Sequence, residues 1–203
     1  MTDQVLWFAT RGAGAVSLLM LTGVVLLGVL SVHRWQGPSW PRFLTAGLHR
    51  NLALLSLVFL AIHIVTAIVD PFTALGLAAA VVPFASSYRP LWVGVGVIAF
   101  DLLLALVVTS LVRARLGHRT WRAIHWVAYA MWPLALAHGI GSGSDNLAPW
   151  MLALDVLCVT VVSVAIVLRV LIVRAGSPDE LQRVVESGVA ETTATGLPWE
   201  VGR

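Results

Sequence analysis

The chain has 203 residues, of which 59% are hydrophobic and only 11% are charged. Soluble domains carry about 25% charged residues, so this composition excludes an ordinary water-soluble protein. The 13 basic residues are all arginines and give a formal net charge of +3. Because these arginines lie between apolar segments, we interpret them as orienting the chain in a membrane rather than as binding nucleic acid.

Five apolar segments approach the roughly 20 residues that a helix needs to cross the hydrocarbon core. No small-residue cleavage site follows the first, so we interpret it as a span rather than a signal peptide. The fourth is short and extends back through Trp121. The sequence therefore predicts an all-α integral membrane bundle with five transmembrane helices, at residues 13–32, 48–69, 91–112, 124–140 and 149–173.

The placement of arginines predicts the orientation of this bundle. Nine arginines follow the first, third and fifth segments, whereas only Arg11 and Arg89 lie on the opposite side. The excess of arginine marks the cytoplasmic side, so the N-terminus is expected outside and the C-terminus in the cytoplasm. The small size and the absence of lysine favour a bacterial inner (plasma) membrane. The predicted divisions are an outer N-terminus at 1–12, a membrane domain at 13–174 and a cytoplasmic, largely disordered tail at 175–203.

The segment between the second and third spans and the single cysteine are two further features of the sequence. Residues 71–90 are too short and too interrupted by proline to span, so they are predicted to form an amphipathic or re-entrant piece on the outer face. Cys158 is the single cysteine. A disulfide within the chain and a cysteine-based metal site are therefore excluded, and Cys158 is interpreted as a small hydrophobic residue.

Four of the six histidines fall in the second and fourth predicted spans. His49 and His63 are 14 residues apart, and His125 and His138 are 13 apart. Each spacing covers about 20 Å of helix, which is most of the hydrocarbon thickness. Because both spans run outward, His49 and His125 are expected at one depth near the cytoplasm, and His63 and His138 at another near the outside.

Two facing imidazoles at each depth suit a six-coordinate haem b, with one axial ligand from each helix. Two such levels would carry electrons between the membrane faces. The helical phase fits unevenly, because 14 residues return to within about 40° of the starting face but 13 miss it by about 140°. Pro133 lies between His125 and His138, and a proline kink is one way to correct the phase.

Other readings of these residues stay open. Histidines within spans also make polar contacts between helices or serve transport pathways, and a purely structural subunit is a further alternative. His33 and His118 lie beside arginines in cytoplasmic connections and are not expected to be ligands. Asp101 and Asp155 lie within spans, where a carboxyl group is energetically unfavourable. Each either forms a hydrogen bond between helices, contacts a ligand histidine or passes protons. We expect lipid headgroups or haem propionates as the partners of three arginines, Arg50, Arg89 and Arg122. The tryptophans are expected to form an interfacial belt, and Trp126 and Trp132 flank the fourth-span histidines.

Three stretches of the sequence resemble the ferric reductase-like transmembrane domain. They are "HRNLALLSLVFLAIH", "SSYRPLWVGVGVIAFDLLLALVVTSLVR" and "LGHRTWRAIHWVAYAMWPLALAHG", and the resemblance covers residues 13–173. This superfamily includes ferric reductases, NADPH oxidases and the haem-binding membrane subunit of a bacterial methionine-sulfoxide reductase system. The resemblance implies His49 with His125 on an inner haem b and His63 with His138 on an outer one, and its pattern includes the 13-residue spacing.

The chain also departs from the larger relatives, which have six spans and a cytoplasmic domain for FAD and NAD(P)H. It has no glycine-rich dinucleotide motif in the strand–turn–helix setting that such a motif needs. We therefore expect flavin and NAD(P)H to act only through a separate flavoprotein or flavin reductase, which would feed electrons to this chain or receive them from it. The sequence leaves open the side on which this partner docks, and an extracytoplasmic molecule is one candidate acceptor. This makes the chain an electron-carrying oxidoreductase subunit with no catalytic residues of its own. A quinol-oxidising cytochrome b is the alternative within electron transfer.

Overall fold

The computed structural model describes residues 2–32, 42–145 and 147–174, and every regular element in these ranges is helical. His33, Trp35 and Trp40, the connection that holds them and the predicted tail at 175–203 lie outside the described residues. The elements are α1 (Thr2–Val32), α2 (Arg42–Val69), a 3-10 helix (Leu77–Ala80), α3 (Pro90–Leu111), α4 (Arg113–Leu116), α5 (His118–His125), α6 (Ala128–Ser142) and α7 (Pro149–Arg174).

Local chemistry accounts for several helix boundaries. Pro71 disfavours helical geometry at Asp70, and α2 ends at Val69. Pro90 occupies the first turn of α3, where its missing N–H breaks no hydrogen bond. Helices α1 and α2 begin well before the predicted apolar segments, because a helix can continue past the hydrocarbon core into polar sequence that has no breaker.

Four of the described helices are long and apolar enough to cross a membrane. These segments are Gln4–Leu30, Phe43–Val69, Pro90–Leu111 and Pro149–Leu171. They correspond to the first, second, third and fifth predicted spans. The predicted fourth span, 124–140, is instead divided between α5 and α6, with a tightened turn at Trp126 and Val127.

The segment between α2 and α3 forms a compact, largely apolar loop. The Thr73 hydroxyl donates to Ala67 O and ties the start of the loop to α2. Within the loop, Asp70 Oδ1 accepts a hydrogen bond from the Phe72 N–H. Phe84 packs its ring against Gly94 of α3, where a Cβ atom would lie only 2.2 Å away. Exposed apolar side chains of this loop include Phe72, Leu77, Val81 and Val82.

Helix α1 holds the bundle together, because it packs against α2, α6 and α7, while α3 packs against α6 and α5. The buried core joins α1, α3, α6 and α7 through Leu18, Leu21, Val25, Leu103, Leu106, Met131, Trp132, Cys158 and Val162. Cys158 is fully buried there, as expected of a small hydrophobic residue. Helix α2 contributes only peripheral contacts to this core, through Leu57 and Leu60.

Candidate functional site

The four span histidines form two pairs at opposite ends of the bundle. His49 of α2 and His125 at the end of α5 have ring centres 6.3 Å apart. His63 of α2 and His138 of α6 have ring centres 6.1 Å apart. We call the first the inner pair and the second the outer pair. The structure therefore brings together the same partners that matched depth predicted.

Three of these imidazoles are oriented by a backbone carbonyl on a neighbouring helix. Nδ1 lies 3.0 Å from Val24 O for His49, 2.8 Å from Thr10 O for His63 and 2.9 Å from Trp92 O for His138. A carbonyl oxygen can only accept, so Nδ1 carries the proton and donates it. The lone pair is then on Nε2 of each ring, which is the tautomer that a metal-ligating histidine needs.

His125 is held differently from the other three. Its Nδ1 is buried and has no hydrogen-bond partner among the described residues. The ring instead packs against the indole of Trp121, with centres 4.9 Å apart and planes inclined by 30°. The Trp121 Nε1–H donates to the hydroxyl of Ser110 on α3, at 3.3 Å. The inner pair is therefore positioned on the α5 side by stacking rather than by a carbonyl.

Glycines make room for three of the rings, and they follow a register that sequence reasoning missed. His49 lies against Gly28, His63 against Gly14 and His138 against Gly96. In each case the carbonyl that accepts from Nδ1 belongs to the residue four positions before the glycine, which is one helical turn away. Gly14 and Gly28 share the 14-residue spacing of His63 and His49, so this signal was visible in the sequence once α1 was paired with α2.

A Cβ atom added at each of the three glycines would be crowded to a different degree. A Cβ atom would lie 2.8 Å from Nδ1 of His63 at Gly14 and 2.3 Å from Nδ1 of His138 at Gly96. At Gly28 it would lie 3.6 Å from Cε1 of His49, which is an ordinary contact. Close approach of helix backbone and imidazole is therefore a requirement of the outer pair only.

A tightened turn between α5 and α6 accounts for part of the phase problem. The N–H groups of Trp126, Val127, Tyr129 and Ala130 bond to carbonyls three residues earlier. Trp126 and Val127 have 3-10 dihedral angles, and each residue in such a turn advances about 20° further than in an α-helix. This overwinding recovers part of the roughly 140° by which thirteen α-helical residues fall short. This irregularity precedes Pro133, whose kink the sequence offered as one way to correct the phase.

The geometry of both pairs fits a haem iron between two imidazoles. Bonds of about 2 Å from iron to each Nε2 would put the ring centres about 6 Å apart, close to the observed separations. Among the described residues, no group of three or more His, Cys, Asp or Glu side chains is placed to hold a metal ion. Two imidazoles suffice for haem, because the porphyrin supplies the other four ligands.

A cavity of about 220 Å³ adjoins the outer pair. Its walls are mostly apolar and include both outer histidines, Trp7 and Met151, with polar positions at Thr10, Arg11 and Ser17. Trp7 ties α1 to the loop after α6, because its Nε1–H donates to the Ser144 hydroxyl. Arg89 Nη1 donates to Gly141 O and Gly143 O, so its guanidinium holds the end of α6.

The remaining candidate residues lie apart from the ring pairs. Asp101 is exposed on α3, about 140° around the helix from Gly96. Asp155 is buried on α7, and its Oδ1 has no hydrogen-bond partner within residues 2–32, 42–145 and 147–174. His118, Arg50 and Arg122 are exposed. Trp126 is exposed and contacts Arg169, whereas Trp132 is buried and donates from Nε1 to the Thr22 hydroxyl.

Comparison with protein-family models gives a match. The model of a family described as "ferric reductase like transmembrane component" matches residues 12–136, which is more than half of the chain. This stretch contains His49, His63 and His125 and ends just before His138. Comparison with curated proteins and with solved structures gives no match.

Proposed function

Because this chain belongs to the ferric reductase-like transmembrane component family, it is a multi-pass membrane protein, and we propose that it carries electrons across the membrane on two haems b. The family and the apolar helices indicate membrane electron transfer. We further propose the number and type of the cofactors, their ligands and the orientation of the chain across the membrane.

The observation that carries the proposal is the pair of imidazole pairs. Their ring centres are 6.3 Å and 6.1 Å apart, at two levels separated by 14 residues of α2. At about 1.5 Å per residue, the levels are roughly 20 Å apart along the helix. Unrelated polar contacts between helices would give neither the matching separations nor the Nδ1-to-carbonyl orientation that three of the four rings share.

The residues that would hold each haem follow from this geometry. His49 and His125 would ligate the inner iron through Nε2, and His63 and His138 the outer iron. The backbone carbonyls of Val24, Thr10 and Trp92 keep the ring orientation, and they make the ligating nitrogen more basic. Haem b bound at these positions supplies a reversible one-electron carrier, so the protein needs no further catalytic group.

The proposed topology has five crossings, with the N-terminus outside and the C-terminus in the cytoplasm. Helices α5 and α6 would make the fourth crossing together, because the turn between them keeps right-handed helical dihedral angles. The arginines of α4 and α5 then lie on the cytoplasmic side, as the positive-inside rule requires. We place the protein in a bacterial inner membrane.

The partners are proposed from the chemistry that these helices lack. A separate flavoprotein or flavin reductase would exchange electrons with the inner haem, and an extracytoplasmic acceptor would take them from the outer haem. Flavin and NAD(P)H would therefore act through the partner.

The test is a dithionite-reduced minus oxidised absorption spectrum of the purified chain, with haem quantified per polypeptide. We expect two low-spin haems b. His63→Ala is expected to remove one haem and leave the other, whereas His118→Ala, the matched change at an exposed histidine outside both pairs, keeps both. Colourless protein produced with ample haem would refute the proposal and favour histidines along a transport pathway. Unchanged haem content in His63→Ala would refute the ligand assignment.

A further inference from the structure

Arg11 lies beside the outer histidine pair and is mostly shielded from solvent. It follows Thr10, whose carbonyl accepts the His63 hydrogen bond, and it lines the same cavity as His63 and His138. Its side chain is 15% exposed. Charges in such a place interact more strongly than at a surface, because little water screens them.

Asp145 is the counter-ion of Arg11. Arg11 Nε lies 2.5 Å from Asp145 Oδ1, and the Asp145 side chain is 16% exposed. The pair joins α1 to the loop between α6 and α7, next to the Trp7–Ser144 hydrogen bond. Arg11 Nη2 and Asp145 Oδ2 are buried without a hydrogen-bond partner in the described structure, so the two charges mainly balance one another.

The inner pair has a different electrostatic setting. Arg50 and Arg122 are the arginines nearest in sequence to His49 and His125, and both are exposed. Water, ions and lipid headgroups screen charges at such positions. A shielded ion pair therefore distinguishes the outer level from the inner one.

We propose that the Arg11–Asp145 pair sets the reduction potential at the outer level, with Arg11 raising it and Asp145 limiting that rise. The inference rests on the proposed function, since it concerns this chain's residues around the outer haem. Adding one electron lowers the local charge by one, and a nearby shielded cation stabilises that state. The outer level is then favoured over the inner level as the electron's destination, which directs electrons outward.

The experiment is a potentiometric titration of the full-length, haem-loaded protein, followed by its absorption spectrum. His138→Ala identifies the outer transition as the one that it removes. Arg11→Gln is expected to lower the outer potential and Asp145→Asn to raise it, while the inner potential stays fixed. Arg11→Lys keeps the charge and is expected to keep the outer potential near the wild-type value. Arg119→Gln, the same change at an exposed arginine of α5, is expected to move neither transition.

Opposite shifts separate an electrostatic role from a structural one, because loss of a merely structural contact would change both variants in the same direction. Equal shifts in Arg11→Gln and Asp145→Asn, or no shift in either, would overturn the inference. If Arg11→Gln loses the outer haem, Asp145→Asn decides, since an unmoved outer potential there also overturns it. If the wild-type protein binds two haems but the substitutions leave both potentials unchanged, this inference fails and the proposed function stands. If the wild-type protein binds no haem, both fail.

Discussion

The imidazole of His63 lies so close to Gly14 that a Cβ atom at Gly14 would come within 2.8 Å of Nδ1. The same ring donates to the carbonyl of Thr10, one turn earlier on α1. One stretch of helix therefore supplies both the space and the hydrogen bond that orient the ligand. His138 has the same relationship to Gly96 and Trp92 on α3, so the two sides of the outer pair are built alike.

Alanine at these glycines provides a direct test of the outer site. Gly14→Ala and Gly96→Ala are expected to displace the imidazoles, at a cost of about 1–3 kcal/mol for overpacking, and to lower occupancy of the outer haem. Gly28→Ala is the matched control, since its Cβ would make an ordinary 3.6 Å contact with His49. Haem per chain and the reduced spectrum measure the effect. Equal haem loss in all three variants would contradict the packing argument.

The hydrogen bond between Trp132 and Thr22 joins α6 to α1 in the core. Trp132 Nε1 lies 3.0 Å from the Thr22 hydroxyl, which itself donates to Leu18 O. Thr22→Val leaves the indole N–H buried and unpaired, so we expect it to destabilise by about 1–3 kcal/mol. Trp132→Phe removes the donor together with its need for a partner.

A double-mutant cycle of thermal or denaturant unfolding in detergent measures this bond. The two changes together are expected to cost less than the sum of the single changes, by about 0.6 kcal/mol, as is typical of hydrogen bonds between membrane helices. Strict additivity would show that the bond adds nothing to stability.

Arg89 is expected to matter for stability rather than for contact with lipid. Its guanidinium donates to two carbonyls at the end of α6, Gly141 O and Gly143 O. Hydrogen bonds from a charged donor contribute about 1.5–3 kcal/mol, so Arg89→Ala should lower the unfolding temperature clearly. Arg115→Ala, at an exposed position on α4, is the control. Equal melting of the two variants would mean that the Arg89 contacts carry no energy.

Cysteine labelling tests the five-crossing topology. Cys158 is fully buried and is expected to stay silent. Leu147 is 85% exposed in the loop between α6 and α7, and Ala114 is exposed on α4. In intact cells, a membrane-impermeant maleimide should label Leu147→Cys at once, and Ala114→Cys only after permeabilisation. Labelling of both positions from the same side would show that α5 and α6 do not cross the membrane together.

The sequence predicted the helical membrane bundle and the pairing of histidines, because both depend on regular periods along the chain. Apolar segments of about 20 residues indicate spans, and spacings of 13 and 14 residues place two histidines per helix at matching depths. The family match supports the prediction of membrane electron transfer. The fourth span was the exception, since periodicity alone did not reveal the 3-10 turn that divides α5 from α6.

What lies around the rings depended on which helices pack together. Gly14 and Gly28 are unremarkable in the sequence of α1 until α2 is placed against that helix. Arg11 and Asp145 are far apart in the chain, and no local sequence pattern predicts that they form an ion pair. Sequence determines which residues share a helix and a depth, because those follow from the rise per residue. Only the tertiary structure decided which backbone carbonyl, glycine or charge faces each imidazole, because those contacts depend on how the helices are rotated and packed.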